Sequence, residues 1–132
     1  MKKITIFIVA VLMVLACIST AIAANWVLYD RFPTPEYPKG ITRCYADISS
    51  IKRTGNNTFK IISKDVDENG TYTECREFKI KKSQSRTLYY KTVLVDGTLA
   101  ASSNKPDEWY RYSSDSPWAK LYKVGVKHLS LK

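Results

Sequence analysis

The chain has 132 residues, 45% of them hydrophobic and 25% charged, a length and composition that fit one globular domain and exclude a multidomain assembly. Its 21 lysines and arginines against 12 acidic residues leave a formal net charge of +9. That balance points to anionic partners, and a single histidine excludes the histidine clusters on which many metal sites depend.

Met1-Lys2-Lys3 is a short basic start, Ile4 to Ala16 an apolar run, and Ser19 to Ala24 ends in small residues with Ala21-Ile22-Ala23 in cleavage spacing. This is the pattern of an export signal, too short to cross a bilayer as a spanning helix of roughly 20 apolar residues. Residues 1–23 are read as a signal peptide and 24–132 as a single exported domain, in the periplasm or at the cell surface. Val14-Leu15-Ala16-Cys17 also resembles a lipobox, and acylation of Cys17 would make the chain an outer-membrane lipoprotein. Membrane association is expected only in that case.

Trp26-Val27-Leu28-Tyr29 reads as a first strand, and Pro33, Pro35 and Pro38 make Arg31 to Gly40 an extended surface loop. Ile41 to Ala46 returns to strand character, Asp47 to Ile51 carries turn and cap residues, and Thr54-Gly55-Asn56-Asn57 is a turn by composition. Thr58 to Lys64 alternates Phe59 and Ile61 with polar neighbours, until Asp65 to Gly70 breaks the pattern. Thr71 to Lys81 places Tyr72, Glu74, Arg76, Phe78 and Ile80 on one face and Cys75 on the other. The polar residues in that face predict a half-exposed antiparallel strand.

Arg86 to Val95 is a long strand, Asp96-Gly97 a hairpin turn, and Thr98 to Ser102 the returning strand. After a turn at Asn104-Lys105-Pro106-Asp107, Ser116 is an N-cap and Pro117 a first helical residue. Trp118, Leu121 and Tyr122 then recur at helical spacing, and Gly125 weakens the helix near its end. The sum is an α+β fold, an antiparallel sheet of about five to six strands packed against one C-terminal helix.

Loss of residues 1–23 removes Cys17 and leaves Cys44 and Cys75, for which an oxidising compartment allows one pairing. A structural disulfide is expected, worth roughly 3–4 kcal/mol in the chain-entropy model. Metal ligation and a redox pair are the alternatives, but neither a C-x-x-C motif nor a histidine cluster accompanies the two residues.

Asp65, Asp67 and Asn69, followed by Gly70, match the first half of a calcium loop. Where the loop needs a bidentate glutamate the chain has Arg76, so an acidic hairpin turn without a metal is the expectation. No cofactor is expected. His128, the only histidine, sits near a terminus without a nucleophile in view, and the chain is read as non-enzymatic. Lys79, Lys81, Lys82 and Arg86 surround Ser83-Gln84-Ser85 and form the densest basic patch. They are candidate contacts for an acidic glycan or an acidic protein segment, or else an edge guarded by lysines. Tyr89-Tyr90 lies nearby, but export makes nucleic acid an unexpected partner.

The ordered series Trp26 to Tyr29, Tyr45-Ala46-Asp47-Ile48-Ser49-Ser50-Ile51-Lys52-Arg53-Thr54-Gly55-Asn56, Cys75, Arg86-Thr87-Leu88, Asp96-Gly97-Thr98, Glu108-Trp109 and a Ser116-led helix resembles the surface-adhesin protein E-like family. The resemblance covers nearly the whole exported part. It implies a sheet of about six strands against a C-terminal helix, on a non-enzymatic protein that attaches to host or matrix macromolecules, with a homodimer as a further implication. A periplasmic or envelope structural or accessory role is the alternative. Two features depart from the family. Val126-Lys127-His128 lacks the cysteine that members often carry there, which leaves Cys44 as the partner for Cys75, and the Arg31 to Gly40 loop is longer.

Overall fold

The computed structural model describes residues 23–131. The signal segment and Cys17 lie outside the described residues. Seven strands and one helix follow: β1 Trp26–Pro33, β2 Ile41–Gly55, β3 Thr58–Val66, β4 Gly70–Lys79, β5 Gln84–Leu94, β6 Leu99–Ser103, β7 Tyr110–Arg111 and α1 Pro117–His128. The strands form one antiparallel sheet in the order β1-β2-β3-β4-β5-β6, while β7 pairs with the start of β5. Each of β1 to β6 lies beside its sequence neighbours in the sheet, whereas β7 passes over β6 to return to β5. The architecture is α+β, as the alternation and the late helical period predict. No described helix is long and apolar enough to cross a membrane.

Directly opposed residues share a face of a sheet, so the register separates its two sides. On one side stand Ala46, Ser63 and Glu74 in a row, then Ile61 opposite Arg76, then Phe59 opposite Phe78. Helix α1 lies on this side and closes a core of Ala46, Ile51, Phe59, Ile61, Phe78, Tyr112, Ala119 and Leu121. The Phe59 and Phe78 rings stack at 5.4 Å, and Tyr122 from the helix tilts against both. Ser116 caps the helix by accepting from the Ala119 N–H, with Pro117 in the first turn. Gly125 sits where a Cβ would come 2.2 Å from Phe59, so it sets how closely the helix approaches the sheet.

Four elements differ from their sequence reading. β2 runs unbroken through Asp47 to Ile51, which absorb a register shift and do not end the strand. Asp47 accepts from the Asn25 N–H and from the Ser49 N–H and hydroxyl, while Ser50 accepts from the Ile62 N–H. Side chains that favour turns here replace the ladder bonds that a bulge gives up. β1 continues to Pro33, tolerated because β1 is an edge strand. The turn before β5 is Ile80 to Ser83, with Lys81 and Ser83 at positive φ, so Lys81 does not share a strand face with Lys79. β7 is too short to carry a periodic signal.

The face of β4 that reads as half-exposed is buried. Glu74 is 4% and Arg76 3% exposed. Arg76 donates to both Glu74 oxygens at 2.9 Å and to the hydroxyls of Ser85, Thr87 and Tyr110. Its guanidinium also lies 4.7 Å from the Trp118 ring. Paired and fully bonded charges satisfy the condition under which ions can be buried.

Candidate functional site

The side of the sheet away from the helix presents cations held over aromatic rings. Arg86 opposes Glu77 and Lys79 opposes Gln84. With the period of two along β4, these pairings put Lys79 and Arg86 on this face as diagonal neighbours. Trp109, which leads into β7 beside them, lies 4.6 Å from the Lys79 ammonium and 4.7 Å from the Arg86 guanidinium. Arg86 also pairs with Glu77 at 2.8 Å, which leaves Lys79 as the uncompensated charge of the cluster. Of the other two patch residues, Lys81 and Lys82 stand exposed on the adjoining turn. The Lys81 N–H donates to the Tyr122 hydroxyl, fastening that turn to the helix. The structure thus joins Lys79 to Arg86 and sets Lys81 and Lys82 at their rim.

A second cluster stands at the far end of the same face. The Lys64 ammonium lies 4.2 Å from the Trp26 ring and 5.6 Å from the Tyr45 ring. Lys64 opposes Thr73, six residues from Lys79 along β4, a distance of roughly 20 Å at the strand rise. Between the clusters the register puts Lys60, Ile62, Cys75 and Tyr89 on this face, and Lys91 stands level with Lys64. Trp109 and Trp26 are the functional candidates that sequence patterning passes over. The usable signal was the alternation of Lys60, Ile62 and Lys64 opposite to Phe59 and Ile61, which gives one strand an apolar side and a basic side.

The expected disulfide is not formed, and both cysteines are free thiols. Cys44 opposes Asp65 and Cys75 opposes Ile62. Strand β3 lies between them, and the register puts the two residues on opposite faces of the sheet. Two strand spacings, about 9–10 Å, already exceed the reach of a disulfide. Burial pushes both thiol pKa values up, with Asp65 adding to the effect at Cys44, so neither is a ready nucleophile.

The Asp65, Asp67 and Asn69 side chains are engaged separately. Asp67 accepts from the N–H groups of Asn69 and Gly70, and Asn69 accepts from the Tyr37 hydroxyl. Asp65 points onto the helix-bearing face beside Cys44. Among the described residues no group of three or more His, Cys, Asp or Glu side chains is placed to hold a metal ion. His128 stands exposed in the last turn of α1. Compared with protein-family models, characterised proteins and solved structures, the chain finds no match.

Proposed function

We propose that this chain is an exported, non-enzymatic binding protein of the surface-adhesin E-like kind, and that its helix-free sheet face engages an acidic glycan or an acidic protein segment. The observation that carries this reading is the Trp109 ring shared by Lys79 and Arg86. A ring beneath a cation orients it without neutralising it, so the Lys79 ammonium remains free for a carboxylate or sulfate, while Arg86 keeps only the N–H groups that Glu77 does not engage. The face is also long enough for an extended chain. Lys64 on Trp26 and Tyr45 supplies a second fixed charge roughly 20 Å away along the strand direction.

Retention on a heparin column tests the reading. The wild-type chain is expected to elute at raised salt, and a variant with Lys79→Glu and Arg86→Gln at much lower salt. Trp109→Ala is expected to fall between them, and Lys123→Glu, on the exposed side of α1, to behave as wild type. Unchanged retention of the folded double variant would overturn the assignment. Protease treatment of intact cells separates host attachment from an envelope role, because an adhesin is cut without permeabilising the outer membrane.

A further inference from the structure

Helix α1 covers only part of its face of the sheet. Beyond Glu74 the same face is floored by a cross-strand row in which Asp65 opposes Tyr72 and Tyr72 opposes Thr92. Above this row lies a cavity of about 380 Å³, walled by Phe32, Pro35 and Leu94 and edged by the hydroxyls of Thr42 and Thr92. Its loop wall is fastened in place. The Thr34 hydroxyl donates to Glu68, the Ile41 N–H donates to the same carboxylate, and the Tyr37 hydroxyl donates to Asn69. Thr34 and Thr42 share a further hydroxyl contact at 3.0 Å. The cavity is therefore preformed, and its volume falls in the range of small-molecule sites.

Its charge is opposite to that of the protein around it. Asp65, Asp67 and Glu36 line it, and no lysine or arginine does. Arg31 and Arg43, at the same end of the sheet, oppose each other on the other face by register. The ion pairs of the described residues are Arg76 with Glu74, Arg86 with Glu77 and Lys120 with Asp30, so Asp65 has no cationic partner. Burial raises its carboxyl above the usual carboxylate range, reinforced by repulsion from Glu74 and Asp67 and opposed by a hydrogen bond from Cys44 and, more weakly, by the Arg76 charge that Glu74 already pairs. A chain with 21 cations thus leaves one half-buried carboxylate unpaired on the floor of an aromatic-walled cavity.

We propose that this cavity binds a small primary amine, whose ammonium group pairs with Asp65 and whose alkyl stem lies along Phe32 and Tyr72. The threonine hydroxyls favour a primary ammonium, which has three N–H donors, over a quaternary one, which has none. The site lies on the opposite side of the sheet from the basic face, and the two are independent.

Calorimetric titration of the wild-type chain with n-butylammonium chloride, at constant ionic strength, tests the proposal. Saturable binding is expected, with n-butanol and tetramethylammonium at least about tenfold weaker. Asp65→Asn is expected to weaken n-butylammonium about tenfold or more. Thr92→Phe, which fills the cavity and keeps Asp65, is expected to abolish binding while thermal unfolding verifies that both variants fold. Equal affinity for n-butanol, a preference for tetramethylammonium, undiminished binding by Asp65→Asn or Thr92→Phe, or the absence of saturation would each overturn it.

Discussion

Arg76 shows how a single side chain can decide whether a strand face is inside or outside. It is buried with Glu74 under Trp118 and Tyr110, every donor engaged. Arg76→Met would leave Glu74 as an uncompensated buried charge, and a loss of about 3–5 kcal/mol is expected in urea unfolding. The alternation of Tyr72, Glu74, Arg76 and Phe78 is plain in the sequence, but its burial is not. The same pattern describes a wet face until residues more than thirty positions away arrive to cover it. The cysteines make a second case. Because Cys44 and Cys75 lie on opposite faces, alkylation in denaturant without reductant should modify both thiols, and the folded protein should resist it. Mass spectrometry showing no modification in denaturant would restore the cross-link. Asp65 gives a third prediction. Its folded pKa is raised, so its contribution to stability is full below the unfolded value of about 3.9 and is lost as pH rises through the folded value. The thermal midpoint of Asp65→Asn relative to wild type should therefore climb from pH 4 to pH 7, and a constant difference would refute the assignment.

At the level of elements, local chemistry was most legible where it needs no distant partner. Asp96-Gly97 forms the predicted hairpin, with Gly97 at φ 88° and its N–H bonded to the Leu94 carbonyl. Ser116-Pro117 starts the helix where expected. Gly125 is the instructive exception, because helix propensity marks it as a weak point whereas packing makes it a requirement. Gly125→Ala should stabilise an isolated helix by up to about 1 kcal/mol, yet its Cβ would meet Phe59 at 2.2 Å. Denaturant unfolding is expected to show a net loss of about 1–3 kcal/mol, the scale of overpacking in a filled core. A gain in stability would mean that α1 stands further from the sheet. The bulge in β2 carries the same lesson. Asp47, Ser49 and Ser50 carry turn chemistry, and the strand uses it to pass through a register shift.

Across the whole molecule, one sheet serves two unlike surfaces. The face without the helix carries Lys60, Lys64, Lys79, Arg86 and Lys91, two of its cations on Trp109 and one on Trp26. The other face divides between the core under α1 and the acidic cavity beside it. Retention on an anionic matrix should accordingly be lost as the Debye length falls from about 10 Å at 0.1 M salt toward 3 Å at 1 M. Amine binding in the cavity, a half-buried short-range pairing, should change less over the same range. Titrations at the two salt concentrations check this contrast, and parallel losses would argue against two separate sites.

Sequence alone determined the fold class, the position of the helix and the sign of the charge. These follow from periodicity, turn residues and composition, which act over a few neighbours. It also placed Lys79 and Arg86 in one basic region. Only the tertiary structure decided that Trp109 lies beneath both, that Cys44 and Cys75 are separated by the sheet, that Glu74 and Arg76 are interior, and that Asp65 floors a cavity. Alternation assigns residues to two faces of a strand but does not say which face will be covered, or by what. That choice belongs to register across neighbouring strands and to the docking of α1 and β7, contacts that span tens of residues and leave no local mark.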